Sequence, residues 1–416
     1  MSVKSTKHNT TVSWPFSAAL AIALPVSLFD YHGLTLLAIL LGVFAFIIEI
    51  KRGFYIEDVK IQPLYLYLAL ILIGGLSLIW SYNFDVSLER LLHLLGNFVI
   101  GWVVVGTAYR QTQYKLNIKY SAIIYLLGLL STLALIFFQT ASNYFNIDYF
   151  EIFQQTTKYN TFLSVTNPTA TVLAVFAMPG CLLIWRGIGA PVAIAVLLVT
   201  AIIIFLSQSL AAILGFTFSF LLTLAALSAG KKIIRFVTLG IMIFVLALPT
   251  ISFLNNAPFT YMREQLSSLN VNLPLSSIHR TYIYDFVIQN ISNKPILGWG
   301  IGVSRSLPGS QEQITELKRE LLPLHPHNSI FEIWVELGFV GALAFAILIY
   351  FIMMRILRII KERAATAVLF GAASAYIVIG LTSYSIWSSW WIATAILSAG
   401  IWTSLLAERK TPPIMK

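Results

Sequence analysis

Long apolar runs separated by short polar stretches make up most of this chain. Each run is about 20 residues long, the length of α-helix that crosses the hydrocarbon core of a bilayer. The pattern predicts an all-α integral membrane protein with about 12 transmembrane helices. The predicted helices occupy residues 14–30, 33–50, 62–81, 92–109, 120–139, 168–185, 189–206, 209–229, 234–254, 329–354, 364–383 and 386–406.

Composition and charge agree with a membrane protein. Of the 416 residues, 58% are hydrophobic and 11% are charged, whereas a soluble domain has about 45–50% and about 25%. With the N-terminus in the cytoplasm, 19 of the 27 Lys and Arg residues fall on the cytoplasmic side, as the positive-inside rule requires. We therefore predict an inner-membrane protein with both termini cytoplasmic. Basic residues in the cytoplasmic loops explain the net charge of +10. The charge therefore does not indicate nucleic-acid binding, and we expect membrane lipids but no nucleic acid as partners.

Two predicted loops are long, and both lie outside the cytoplasm in this topology. The first covers residues 140–167, and the second covers residues 255–328 between the ninth and tenth predicted helices. Loops longer than about 15 residues are uncommon and usually functional. We predict one membrane domain, residues 1–416, with its chemistry in the periplasmic loop at 255–328.

The larger loop contains recognisable elements. Residues 281–291 have apolar side chains on one helical face, which predicts an amphipathic helix lying on the membrane or packed on the bundle. Asn293 and Pro295 end it. A sharp turn follows at three glycines, and residues 311–320 are predicted to form a polar helix. The glycines are Gly298, Gly300 and Gly302.

Several chemistries lack their sequence signatures. The chain has no phosphate-binding P-loop, no HExxH, no Asp-x-Asp and no Gly-x-Ser-x-Gly. Its one cysteine, Cys181, excludes an intrachain disulfide. His325 and His327 form a His-x-His pair without a nearby third ligand. We expect no metal and no cofactor.

The segment His-Pro-His-Asn at 325–328 stands where the chain re-enters the membrane. Ser329 and Glu332 fit a capping box, which predicts a helix N-terminus with free N–H groups that favour an anion. Two interpretations of His327 stay open. It either caps the helix together with Asn328, or its neutral imidazole accepts a proton from a substrate hydroxyl near pH 7.

Arginines on the periplasmic side are candidate phosphate ligands. Arg280 precedes the amphipathic helix and is either a clamp for a pyrophosphate or a surface charge. Arg90, Arg263 and Arg305 lie on the same predicted side. Glu336 is one turn after Glu332, and we expect it to pair with one of these arginines or to face water. A tryptophan cluster at the last helix predicts an interfacial belt, made of Trp387, Trp390 and Trp391.

These motifs resemble those of a known family. His327 and Asn328 are followed after nine residues by Gly338 and after two more by Gly341, which matches the H-N-x9-G-x-x-G signature of bacterial O-antigen ligases. His325 and Pro326 extend the match to the HxHN form. Upstream, Arg280, Pro295 and the three glycines resemble the R…P…G-x-G stretch of that family. One departure is Leu210, which stands where the family often has a second arginine near the end of the seventh helix.

The resemblance implies a glycosyltransferase of the lipid-carrier type. The donor is an undecaprenyl-pyrophosphate-linked glycan, and the acceptor is a sugar hydroxyl of lipid A–core at the periplasmic face. The resemblance makes His327 the general base of a metal-independent, inverting transfer. Arg280 then binds the pyrophosphate, and Arg90, Arg263 or Arg305 replaces the arginine missing at 210. His325 and Asn328 are expected beside the substrate.

Three other functions stay open. An O-antigen polymerase uses the same donor with a growing glycan as acceptor, and a protein O-oligosaccharyltransferase transfers to a protein hydroxyl. The HxHN form and the short stretch after the last predicted helix favour the ligase. A transporter of lipid-linked glycan is the alternative from another class, but few ionisable residues lie within the predicted helices.

Overall fold

The computed structural model describes residues 14–51, 62–111, 118–144, 162–253, 258–269, 274–360 and 362–406. Both termini lie outside these ranges, as does most of the predicted loop at 140–167. In the described ranges the chain is mostly helical, and one small hairpin supplies the strands.

Each predicted apolar segment overlaps one helix. The helices before the large loop are α1 (Trp14–Phe29), α2 (Gly33–Lys51), α3 (Gln62–Leu76), α4 (Phe84–Gln111), α5 (Ile118–Tyr144), α6 (Phe162–Gly187), α7 (Ala190–Leu206), α8 (Leu210–Ala229) and α9 (Lys231–Ala247). The loop contributes α10 (Pro258–Ser268) and α11 (Leu275–Asn293), and α12 (Ser329–Ile359), α13 (Arg363–Thr382) and α14 (Ser389–Leu406) follow it.

Within the described residues, seven helices are long and apolar enough to cross a membrane: α4, α5, α6, α8, α9, α12 and α13. The protein is therefore an α-helical multi-pass membrane protein. The number of twelve crossings, the sidedness and the position of the termini stay predictions.

The centre of the bundle is built from α6 and α13. Helix α13 packs along α8 and α6, α12 packs against α9 and α3, and α14 packs against α4 and α1. The outward faces of α2 and α7 carry exposed Leu36, Leu40, Leu198 and Ile202. Apolar side chains on the outside of an apolar bundle are what a lipid-facing surface requires.

Helix α12 is interrupted at Gly338, where the sequence predicted a continuous helix. Gly338 has φ 61° and ψ −158°, a combination that is open essentially to glycine alone. Residues 295–300 of the large loop lie in the gap. The N–H groups of Trp299 and Gly300 donate to the carbonyls of Val335 and Glu336, at 3.0 and 2.8 Å.

The other side of the gap is closed in the same way. The N–H groups of Phe339 and Val340 donate to the carbonyls of Pro295 and Ile296 at 2.9 and 3.2 Å. A helix break at membrane depth leaves backbone groups without partners unless protein supplies them. Here the loop supplies them, so the loop and α12 form one interlocked unit, which we call the α12 junction (residues 295–300 and 335–340).

A helix is present at 281–291 as predicted and is longer than expected, but it buries polar residues as well as apolar ones. Helix α11 starts at Leu275, so Arg280 lies in its second turn, and it ends at Asn293 as predicted. It packs against α10 and α12 with Ile283, Val287 and Ile291 buried. The sequence left open whether this helix lies on the membrane or packs on the bundle, and the structure shows that it packs on the bundle.

The predicted polar helix at 311–320 is wrong. This stretch forms a hairpin of β1 (Gln313–Ile314) and β2 (Arg319–Glu320), with Gln313 opposite Glu320 and Ile314 opposite Arg319. The turn is closed by a bond from Lys318 N–H to Ile314 O of 2.8 Å, and Lys318 has φ 51°. Ile314 and Leu317 are spaced as on a helix, but this tight turn reverses the chain between them.

Candidate functional site

His327 lies just before α12 and is held by the connection between α13 and α14. Its Nδ1 is 2.9 Å from the carbonyl oxygen of Ser383. Because a carbonyl only accepts hydrogen bonds, Nδ1 carries the proton in the neutral ring and Nε2 has a free lone pair. No described residue binds Nε2. The ring therefore has the tautomer and the open nitrogen that a general base needs.

His325 contacts His327 through both ring and backbone. The two ring centroids are 4.3 Å apart, and the Nδ1 of His325 accepts the backbone N–H of His327 at 3.1 Å. His327 has φ 54°, in the left-handed region. Among the described residues, no three His, Cys, Asp or Glu side chains are grouped as a metal site requires.

The pKa values of both histidines are lowered. Burial is the main cause for His327, and Arg280 and His279 lower its pKa further, while the bond to Ser383 acts in the opposite direction. Burial, His327 and then the charges of Arg280 and Arg90 lower the pKa of His325 to about 3. Both rings are therefore neutral at physiological pH.

Asn328, and not His327, caps α12. Its side-chain oxygen accepts the N–H groups of Ile330 at 2.9 Å and Phe331 at 3.2 Å. The predicted capping box of Ser329 and Glu332 is wrong, because the hydroxyl of Ser329 donates to the carbonyls of Gly380 and Tyr384. Since Asn328 occupies two of the terminal N–H groups, the helix end offers fewer donors to an anion than the sequence suggested.

Two buried glutamates on α12 bind the segments on either side of the site. Glu332 accepts the Ser385 hydroxyl at 2.7 Å and the Ile386 N–H at 2.8 Å. Glu336 accepts the N–H groups of Gly302 and Ser304, at 2.6 and 3.3 Å. The expectation that Glu336 faces water is wrong, because it is 1% exposed, and its hydrogen bonds come from backbone and indole N–H groups and not from an arginine.

The tryptophan cluster is part of the core and not an exposed belt. Trp387, Trp390 and Trp391 are 2%, 4% and 1% exposed. The indole N–H of Trp387 donates to Glu336 at 2.6 Å, and Trp391 stacks on Tyr376 with ring centroids 4.4 Å apart. The polar loop between α13 and α14, with Ser383 and Ser385, was missed in the sequence. The signal that could have identified this loop was its two serines, which lie on the same predicted side of the membrane as His327.

The glutamates permit a matched pair of substitutions. Glu336→Gln should destabilise the site by about 1–3 kcal/mol, because its three partners are all N–H donors and the new NH2 group must face one of them. Glu332→Gln should cost little, because the Ser385 hydroxyl can accept from the new NH2 group while Ile386 keeps its acceptor. Thermal unfolding of the purified variants in detergent measures the difference, and equal loss in both variants would contradict this account.

Arg280 and Arg90 are the predicted arginines that lie near the histidines. The charge of each lowers the pKa of His325, and that of Arg280 also lowers the pKa of His327. Neither guanidinium has a hydrogen bond or an ion pair with any described residue. The Nε of Arg90 is buried without a partner, and its side chain packs where a Cβ on Gly302 would lie.

The other two predicted arginines are engaged elsewhere. Arg263 on α10 donates to the hydroxyl of Thr281 at 3.1 Å and stacks on the ring of Tyr282. Arg305 is exposed and pairs with Glu320 at 3.5 Å. Leu210 opens α8 with its side chain 57% exposed and offers no charge. Of the four predicted arginines, Arg280 and Arg90 are therefore the ones available to an anionic group beside His327.

Comparison with known proteins matches the segment that contains Arg280 and His327. The model of the O-antigen ligase family matches residues 194–346, which include Arg280, the α12 junction and His327. An inferred polysaccharide ligase of Rickettsia conorii is 33% identical over 153 residues, which cover 36% of this chain and 36% of that protein. Similar proteins of Rickettsia typhi and Rickettsia felis are 31% and 30% identical over 213 and 211 residues, in each case 50% of this chain and 49% of the relative.

The chain spans about half the length of the relatives from Rickettsia typhi and Rickettsia felis. The resemblance inferred from the His-Asn and glycine motifs is confirmed by the family model over the region that contains them. Residues 194–346, which carry His327 and the broken part of helix α12, are similar to the O-antigen ligase family.

Proposed function

We propose that this protein is a glycosyltransferase of the O-antigen ligase type, which moves a glycan from a lipid pyrophosphate to a sugar hydroxyl. The observation that carries the proposal is His327 beside Arg280. The histidine keeps a free Nε2 because its Nδ1–H donates a hydrogen bond to the Ser383 carbonyl, and the arginine has no partner among the described residues. A neutral base next to an unpaired cation suits a reaction that removes a proton and releases a pyrophosphate.

The transfer is a single displacement in this proposal. Nε2 of His327 takes the proton of the acceptor hydroxyl, the oxygen bonds to the anomeric carbon, and the bond from that carbon to the pyrophosphate oxygen breaks. The anomeric centre is inverted. The leaving pyrophosphate keeps the bonding electrons, and its charge is stabilised by Arg280 and Arg90. The Ser383 carbonyl continues to accept the hydrogen bond from Nδ1–H. This bond stabilises the imidazolium until His327 loses the proton that it took from the acceptor.

The substrates follow from the family resemblance. We propose undecaprenyl-pyrophosphate-linked glycan as donor and lipid A–core as acceptor, at the periplasmic face of the bacterial inner membrane. The loop end of the bundle, where α12 begins, supports a site beside the headgroup region, because a lipid-linked donor keeps its pyrophosphate there. A single membrane domain of residues 1–416 is part of the same proposal.

The test is transfer by the purified full chain in detergent, where transport is impossible. A covalent product from lipid-linked glycan and lipid A–core supports the ligase, and the absence of product in the presence of both substrates contradicts it. Lengthening of the lipid-linked glycan without lipid A–core identifies the polymerase instead. A product on a protein hydroxyl identifies the protein O-oligosaccharyltransferase.

Arg280→Gln should lower kcat/KM by about 10²-fold, since one preformed donor to a developing oxyanion is worth about that much. Arg305→Gln is the matched control, because Arg305 is exposed and already paired with Glu320, and it should transfer like the wild type. Initial rates with a fixed acceptor and varied donor give the comparison. Wild-type transfer by a folded Arg280→Gln protein would remove Arg280 from the site.

The pH dependence of kcat/KM should show the lowered pKa of His327. Because the folded protein holds this pKa below 6.5, the base is deprotonated at neutral pH, and kcat/KM should decline at a lower pH than an unperturbed histidine would give. In Arg280→Gln one cause of the lowering is removed, so the decline should begin at higher pH. A profile of that variant that is unmoved, or moved to lower pH, would contradict the assignment.

A further inference from the structure

The side chain of His325 reaches forward two residues to the backbone of His327. Its Nδ1 accepts the N–H of His327 at 3.1 Å. Between them, Pro326 restricts His325 to an extended backbone and fixes its own φ. The contact therefore closes a small turn of the kind that Asn and Asp side chains form with the N–H two residues ahead.

The turn holds His327 in a conformation that it would not otherwise favour. His327 has φ 54°, in the left-handed region, which residues other than glycine occupy in only a few per cent of cases, histidine and asparagine more often than most. Two hydrogen bonds hold His327 in place. His325 holds its main chain, and the carbonyl of Ser383 holds its ring.

These two contacts together determine where Nε2 of His327 points. The bond to Ser383 sets the rotation of the ring, but the ring swings with the main chain if φ changes. Loss of the His325 contact should therefore displace Nε2 while leaving its chemistry unchanged. A displacement of about 1 Å in a reacting group is enough to slow a reaction about 10²-fold.

We propose that His325 is a positioning residue whose Nδ1, acting as an acceptor for the His327 N–H, keeps the base in its left-handed conformation. This inference rests on the proposed function, in which His327 is the base. It assigns the first histidine of the His-x-His pair a role in holding the second, and it does not require His325 to touch either substrate.

The test compares substitutions of His325 that distinguish the role of its hydrogen-bond acceptor from the role of its imidazole ring. His325→Asn places Oδ1 at the position of Nδ1, so the bond to the His327 N–H can form without an imidazole. His325→Leu fills a similar volume without an acceptor, and His325→Ala serves where leucine is not accommodated. We expect kcat of the Asn variant within about threefold of the wild type. We expect the Leu or Ala variant to lose about 10²-fold in kcat with KM for the lipid-linked donor unchanged.

Two results would overturn the positioning role. If His325→Asn is as slow as His325→Leu, the imidazole itself is needed. If His325→Leu transfers glycan at the wild-type rate, the contact is dispensable. His327→Asn in the same assay separates this proposal from the proposed function. Full activity of that variant refutes the base and the positioning role together, whereas an inactive His327→Asn beside a fully active His325→Leu refutes the positioning role alone.

Discussion

His327→Asn should reduce glycan transfer by about 10²–10⁴-fold, the usual contribution of a general base. Asparagine is chosen because its amide nitrogen occupies the position of Nδ1 and can still donate to the Ser383 carbonyl, now 2.9 Å from the imidazole. Asparagine also tolerates the left-handed φ of 54° at this position. The variant thus keeps the anchor and the backbone of His327 and removes only the basic Nε2.

His279→Gln is the control for this experiment. The Nε2 of His279 is 2.8 Å from the carbonyl oxygen of Glu320, and a glutamine amide can donate the same bond, so this variant should retain most of its transfer. Lipopolysaccharide from a strain lacking the gene gives the second measurement. Only His279→Gln should restore the full ladder at equal membrane levels. If His327→Asn also restores it, His327 is a structural residue and the base is elsewhere.

Local motifs in the sequence predicted several elements around the candidate site. The His-Pro-His-Asn segment, the end of α11 at Asn293 and the turn at Gly298 depend on neighbouring residues and on backbone preferences. For the same reason, the apolar runs predicted where the membrane helices lie. Such features are encoded within a few residues of one another, and the structure contains them.

Contacts between distant segments were not predictable in the same way. The capping box was wrong because Ser329 and Glu332 bind the loop between α13 and α14 instead of the turn that they start. The partners of Glu336 lie 32, 34 and 51 residues away along the chain. A single sequence records that a carboxylate is present but not which donors the fold brings to it.

The break in α12 is the clearest case of this limit. Gly338 and Gly298 were both noted in the sequence, one in the family motif and one in the glycine turn. Hydrophobic periodicity reports which side chains are buried, and it is the same whether the backbone of a helix bonds to itself or to an inserted loop. The α12 junction could therefore be recognised only once the two segments were seen together.

Gly338→Ala should disrupt the α12 junction and lower the free energy of unfolding by about 3 kcal/mol or more. Two effects add. An alanine at φ 61° and ψ −158° costs about 1–3 kcal/mol in backbone strain. Its Cβ would also lie 2.4 Å from the backbone carbon of Ile296, and such overlap costs about 1–3 kcal/mol more. Thermal unfolding in detergent should show the loss, and transfer should fall with it because the junction connects α12 to the segment bound by Glu336.

Gly96→Ala is the matched control, since Gly96 lies in α4 and a Cβ there has nothing within 4 Å. Alanine also favours a helix more than glycine does, so that variant should be at least as stable as the wild type. Gly298→Ala tests the junction from its other side, because its Cβ would lie 2.4 Å from the backbone of Glu336. If Gly338→Ala and Gly298→Ala both unfold like the wild type, residues 295–300 do not occupy the gap in α12. In that case the α12 junction would not be what holds the large loop in place. Some other contact would then have to keep Arg280, on α11, beside His327.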